Sequence, residues 1–232
     1  MNREGEHSNG IGQVSVIMLR TKASCAFFLI SMFLLSVQSP MLLADTETSE
    51  ASGRAQTTWS GSVVLNNHYT IPVTDELVIS SCTNVTMSSG VRIYVEGRIT
   101  VEGTSTCPVY FDYSGGGDHM GIQFNSSSNG RGSKIDNASI IHSTYGITVY
   151  GSDPYLANVT IWNPDDVGVD LFNSATPTIR NLVIDEAGQD WNFPNYWRYG
   201  IGLSIGAGSA PNIDGLVVND ACLLYTSDAA DE

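Results

Sequence analysis

Three stretches of the chain can be laid over one another: "YGITVYGSDPYLANVTI" from Tyr145, "VGVDLFNSATPTIRNLVI" from Val167 and "YGIGLSIGAGSAPNIDGLVV" from Tyr199. Each has a glycine, alternating apolar residues, a turn with a proline (Pro154, Pro177, Pro211) and a second alternating stretch ending at Ile161, Ile184 or Val218. A partial earlier copy is "KIDNASI", Lys134 to Ile140. Further upstream, "LVI", "VTM" and "IYV" at 77, 85 and 93 return as "ITV", "VYF" and "IQF" at 99, 109 and 122. Self-similarity at about 21 to 25 residues marks a stacked architecture, in which one unit buries its apolar face only against the next. Alternation with a period of two makes the stacked pieces strands rather than helices.

Three short strands per coil at this period predict an all-β parallel β-helix, each strand pairing with its counterpart one coil away. Leucine-rich repeats share the period but need a leucine ladder, which is absent; propeller blades are nearly twice as long. Abundant Ser, Thr and Asn and 23 glycines fit many short strands and tight turns. The alternation predicts an inside of Ile122, Phe124, Ile147, Val149, Val169, Leu171, Ile201, Leu203 and Ile205, and an outside of Gln123, Thr148, Asp170 and Gly202. Asn137, Asn158 and Asn181 recur at one place in successive coils, where their amides can bond along the stack.

The segments "TWSGSVVLNNHYTIPVTDELVI", "VRIYVEGRITVEGTSTCPVYF" and the "YGI" coils resemble secreted right-handed parallel β-helix proteins of the pectin-lyase-like group, over Trp59 to Asp220. The resemblance implies a right-handed, single-stranded solenoid of about six coils. It does not select an activity, because this fold carries lyases, hydrolases, adhesins and surface proteins.

Residues 1–44 read as a signal peptide. Arg20 and Lys22 precede the apolar run Cys25 to Val37, and "LLA" ends at Ala44 as a cleavage site; the start is Met1 or Met18. A Ser/Thr-rich linker, 45–57, leads to a solenoid over 58–221. The segment 222–232, "CLLYTSDAADE", breaks the pattern, and its back-translation matches a transposase-based sequencing adapter. The expectation is therefore an exported, extracellular or cell-surface protein whose solenoid is cut short at its C-terminus. Its membrane contact is limited to the signal segment or a missing C-terminal anchor. The net charge of −14 excludes nucleic acid as a partner, because a phosphate backbone needs a basic surface.

Among the cysteines, Cys82 and Cys107 each precede an equivalent strand one coil apart, and export supplies an oxidising compartment, so they are expected to form a disulfide. Four N-x-S/T patterns occur; Asn137 and Asn158 have a structural use, leaving Asn84 and Asn125 as glycosylation candidates. "NPDDVGVDL" supplies Asp165, Asp166 and Asp170, and it resembles the paired aspartates of polygalacturonase-type hydrolases. "YGIGLSIG" resembles their Gly-His-Gly segment, with Tyr199 and Gly200 where that family has histidine. A glycosidase needs two carboxylates, so these three are the catalytic candidates, and Asp165 with Asp166 are the candidates for a calcium ion. A pectate-lyase reading would need an arginine base, and Arg180 is expected in a turn; His119 and His142 are expected to be solvated or held by local bonds.

The spacing from Gly146 to Gly168 is 22 residues and from Gly168 to Gly200 is 32, the excess being "DEAGQDWNFPNYWR". Aromatic faces bind sugar rings, and loops on rigid scaffolds carry function. Trp191, Tyr196, Trp197 and Arg198 of this insertion, with Thr148 and Asp170, form the expected ligand site for a polysaccharide, cell-surface glycan or protein partner. Two functions stay open: a non-catalytic binding or surface protein, and a polysaccharide lyase or glycoside hydrolase.

Overall fold

The computed structural model describes residues 54–188, 200–221 and 223–226. The expected signal segment, most of the expected linker and the aromatic insertion with Trp191, Tyr196, Trp197 and Arg198 lie outside the described residues. The first three coils each have three strands: β1 (Gln56–Trp59), β2 (Ser62–Leu65) and β3 (Tyr69–Ile71); β4 (Glu76–Ser80), β5 (Asn84–Met87) and β6 (Ile93–Val95); β7 (Arg98–Glu102), β8 (Val109–Tyr113) and β9 (Ile122–Phe124). In the next four coils one long strand precedes a shorter one: β10 (Lys134–Ile141) and β11 (Tyr145–Tyr150); β12 (Tyr155–Trp162) and β13 (Val167–Phe172); β14 (Thr178–Asp185) and β15 (Ile201–Ile205); β16 (Asn212–Asn219) and β17 (Leu223–Thr226).

All pairings between these strands are parallel, and each joins a strand to its counterpart one coil away. The chain is thus a parallel β-helix. One sheet, here sheet A, holds β1-β4-β7-β10-β12-β14-β16 with β2, β5 and β8; the other, sheet B, holds seven strands in the order β17-β15-β13-β11-β9-β6-β3. The long strands explain the change between early and late coils. β10 pairs with β7 through its first half and with β8 through its second, so the loop 103–108 of the third coil shrinks to Asn137 alone. Asn137, Asn158 and Asn181 turn this corner in the left-handed region, at φ 51°, 52° and 52°. Asparagine tolerates that region because its short polar side chain bonds locally.

The core is built of columns. Trp59, Ile79, Val101, Ile135, Leu156, Ile179 and Ile213 lie in register through seven coils, and each is buried. In sheet B, Ile122, Ile147, Val169 and Leu203 form one inward column, and Phe124, Val149, Leu171 and Ile205 another. These are the expected inside residues, although Ile201 and Ile205 are only half-buried.

The structure differs from the sequence expectations at several places. Gly202 belongs to an inward row with Gly146 and Gly168, where an added Cβ would come within 2.7 Å of an Ile161 methyl at Gly146 and 2.5 Å of a Val218 methyl at Gly202. Because Val167 pairs with Ile201, Gly168 faces Gly202 rather than Gly200, and the outward position beside Asp170 is taken by Ser204. β1 begins at Gln56, inside the expected linker, because backbone pairing to β4 needs no apolar side chain. Arg180 sits within β14, not in a turn, and its Nη1 donates to Asn212 O at 3.1 Å. The ladder also continues past Asp220: β17 pairs with β15 and completes the seventh coil that β16 opens, as an open sheet edge accepts any strand-competent segment.

Candidate functional site

The outward side of sheet B gathers the two sequence-predicted ligand residues that the structure describes, Thr148 and Asp170. One residue per coil aligns there: Thr70 on β3, Tyr94 on β6, Gln123 on β9, Thr148 on β11, Asp170 on β13 and Ser204 on β15. Thr148 and Asp170, expected together, are Cα partners on adjacent strands. Asp170 is half-buried, and Thr148 retains only 6% exposure. Beside this row run Tyr150 and Phe172, whose rings meet edge-to-face with centroids 5.0 Å apart.

Arg92 anchors one flank. Its Nε donates to Met120 O at 3.0 Å and its Nη1 to Gln123 Oε1 at 2.5 Å. Its guanidinium lies 5.4 Å from the Tyr145 ring centre and 6.0 Å from that of Tyr94. The Arg92 backbone N–H donates to His68 Nδ1 at 3.1 Å, and the His68 ring packs edge-to-face on Tyr94 at 5.5 Å. Gln123 continues the network by donating to Asn125 Oδ1 at 2.7 Å, while Asn125 Nδ2 and Ser127 Oγ both donate to the Glu96 carboxylate. A chain of such bonds fixes the rotamers of a polar surface before any ligand arrives.

Tyr145 links this row to the turn before β13. Burial pushes its hydroxyl up, as does the Asp166 charge, against the lowering effect of Arg92; the hydroxyl bonds to Asp166 and also feels Asp170. Asp166 and Asp170 are thereby on one face. Asp165 and Asp166 are half-buried, with backbone N–H groups donating to Ser143 O at 2.8 Å and Thr144 O at 3.0 Å. Among the described residues no three His, Cys, Asp or Glu side chains converge. A calcium ion at Asp165 and Asp166 would therefore need carbonyls or waters for most of its shell.

The remaining candidates separate. Cys82 and Cys107 form a disulfide with Cα atoms 4.8 Å apart. Asn84 is exposed at the start of β5, whereas Asn125 spends its amide on Glu96 and Gln123. His119 is fully buried with both ring nitrogens bonded. Arg92, Tyr94 and Tyr145 were not singled out by sequence reasoning, since Arg92 and Tyr94 belong to the second coil and Tyr145 to the fourth, with no shared motif joining them. Extending the Thr148–Asp170 register toward the N-terminus would have reached Tyr94.

No curated protein and no solved structure matches the chain. A family model described as "right handed beta helix region" matches residues 62–230, most of the chain and all but the first strand of the solenoid. The stacked parallel strands and this match agree, and the chain belongs to the right handed beta helix family.

Proposed function

We propose that this is a secreted or surface-displayed protein that binds a carbohydrate chain on the outward side of sheet B without turning it over. The observation that supports the reading is the row Tyr94, Gln123, Thr148, Asp170 and Ser204, flanked by Arg92, Tyr145, Tyr150 and Phe172. Sugars offer hydroxyls along their edges and apolar C–H faces. A row alternating amide, hydroxyl and carboxylate groups beside aromatic rings complements both, repeating at the strand spacing of about 4.8 Å. The insertion that carries Trp191, Tyr196, Trp197 and Arg198 precedes β15 in the sequence, and we include it in the proposed site for the aromatic chemistry of its residues. Nucleic acid remains an unsuitable partner for so acidic a surface.

The test is titration calorimetry against a panel of soluble polysaccharides. Saturable binding that weakens about tenfold in Asp170→Ala, in Tyr94→Ala and in the double variant Trp191→Ala/Trp197→Ala supports the reading. If no polysaccharide binds, or these variants bind like the parent, the reading fails. A polysaccharide lyase or hydrolase is the second reading, favoured by Asp166 and Asp170 both acting on Tyr145. Product release abolished by Asp166→Asn or Asp170→Asn would establish it in place of simple binding.

A further inference from the structure

A different outer surface, on sheet A, carries three stacked rings from successive coils. His142 lies edge-to-face against Tyr113 at 4.7 Å and against Trp162 at 4.8 Å. Tyr113 and Trp162 stay 38% and 37% exposed. Carboxylates flank the stack on both sides along the axis. Asp112 Oδ1 is 3.6 Å from His142 Nδ1 at one end. At the other, Asp185 is the Cα partner of Trp162, and Asp185 in turn pairs with Asn219, next to Asp220. The acids crowd one another: burial first, and then the Asp220 charge, push the Asp185 carboxyl up.

His142, Asn163, Glu186 and Asp220 all take left-handed backbone, at φ 54°, 51°, 57° and 46°, so this corner is a ridge of one such residue per coil. A crowded carboxylate beside an exposed ring is relieved by a bound cation, which gains both the ion pair and the attraction of the ring face. The net charge of −14 draws cations toward the molecule from a distance.

We infer that this ridge is a second binding surface, independent of sheet B, for an amine-bearing polysaccharide such as an N-deacetylated hexosamine chain. Its ammonium groups would sit at Asp112 and Asp185, and its sugar rings on Trp162 and Tyr113. A sugar chain fits better than a peptide strand. β10, β12 and β14 are paired on both sides, so they present no edge for a peptide to extend. The coils recur about every 4.8 Å, near the advance of an extended β-linked chain per sugar.

The experiment is calorimetry of the full chain at about pH 5.5, where hexosamine amines are mostly protonated, with three probes: chitosan oligosaccharide, the matching N-acetylated oligosaccharide, and poly-lysine of equal charge. The expected result is binding of chitosan, with the acetylated oligomer and poly-lysine each at least about tenfold weaker. Trp162→Ala and Asp185→Asn should each lose about tenfold, and Asp170→Ala on sheet B should lose nothing. Equal binding of the acetylated oligomer, equal binding of poly-lysine, or two variants that bind like the parent would overturn the inference. A loss in Asp170→Ala would overturn its independence from sheet B.

Discussion

His119 shows what burial does to a titratable group in a solenoid core. Its Nδ1 accepts from Gly121 N–H at 3.0 Å and its Nε2 faces Ile141 O at 3.1 Å, an arrangement that the neutral ring protonated on Nε2 satisfies. Burial holds its pKa at about 4, below the ordinary 6.5. Between those values the unfolded chain binds more protons than the folded one. The stabilisation is therefore complete above pH about 6.5 and is lost as pH falls toward 4, by about 3 kcal/mol. His119→Gln should flatten that part of the profile; urea midpoints at pH 7 and 4.5 that fall equally in parent and variant would refute the neutral ring. Asn181 makes a second case. Its Nδ2 donates to Asn158 Oδ1 at 3.1 Å, whereas Asn158 Nδ2 and Asn137 Nδ2 both donate to Asp136 Oδ1, at 3.0 and 2.9 Å, so the expected asparagine ladder forms only between Asn158 and Asn181, and Asp136 joins it to Asn137. In the next coil Gly215, at φ 77°, takes the same position without a side chain. Asn181→Gly should thus stay within about 1 kcal/mol of the parent, while Asn181→Ala should cost about 2 kcal/mol from left-handed strain and a lost bond, read as shifts in the urea midpoint.

At the scale of elements, the disulfide ties the turn before β5 to the turn before β8, across coils that still need separate strands and longer corners. With the cysteines 25 positions apart, removing the link should cost about 3 kcal/mol through the entropy of the unfolded chain. Cys82→Ala/Cys107→Ala should show that loss in chemical denaturation, and a reductant should shift the parent by the same amount but leave the variant unmoved. The later coils were legible in the sequence because the apolar positions of β11 to β16 recur at matching places and their prolines keep one spacing to the strand end, so Ile161, Ile184 and Val218 do fall in register. Legibility failed where side chains stop reporting on the backbone. β2 leaves Val64 at 58% exposure and pairs with β5 regardless, and β1 pairs through Gln56 and Thr57, which carry no apolar signal. The insertion before β15 removed the local anchor of the repeat, so the "YG" dipeptide aligned Gly200 where the ladder uses Gly202.

Over the whole molecule, the site was legible only as far as the register could be carried. Thr148 and Asp170 met because their coils are adjacent and regular, whereas Arg92 comes from two coils earlier and reaches the face through Gln123. Charge acts at this same scale. The stretch 45–221 holds seven basic and 19 acidic residues, a net −12, and among the described residues the surface ion pairs are few: Arg98 with Glu76 at 3.3 Å and Lys134 with Asp136 at 2.9 Å. Exposed pairs of this kind each contribute at most about 1 kcal/mol, so they do not offset the mutual repulsion of the remaining acids. Raising sodium chloride from about 10 mM to about 150 mM shortens the screening length from about 30 Å to about 8 Å and should raise the melting temperature. Calcium chloride at matched ionic strength separates screening from binding. A rise equal to that in sodium chloride means a diffuse counter-ion effect. A larger rise that disappears in Asp165→Asn/Asp166→Asn means a bound calcium at the turn before β13, completed by carbonyl oxygens.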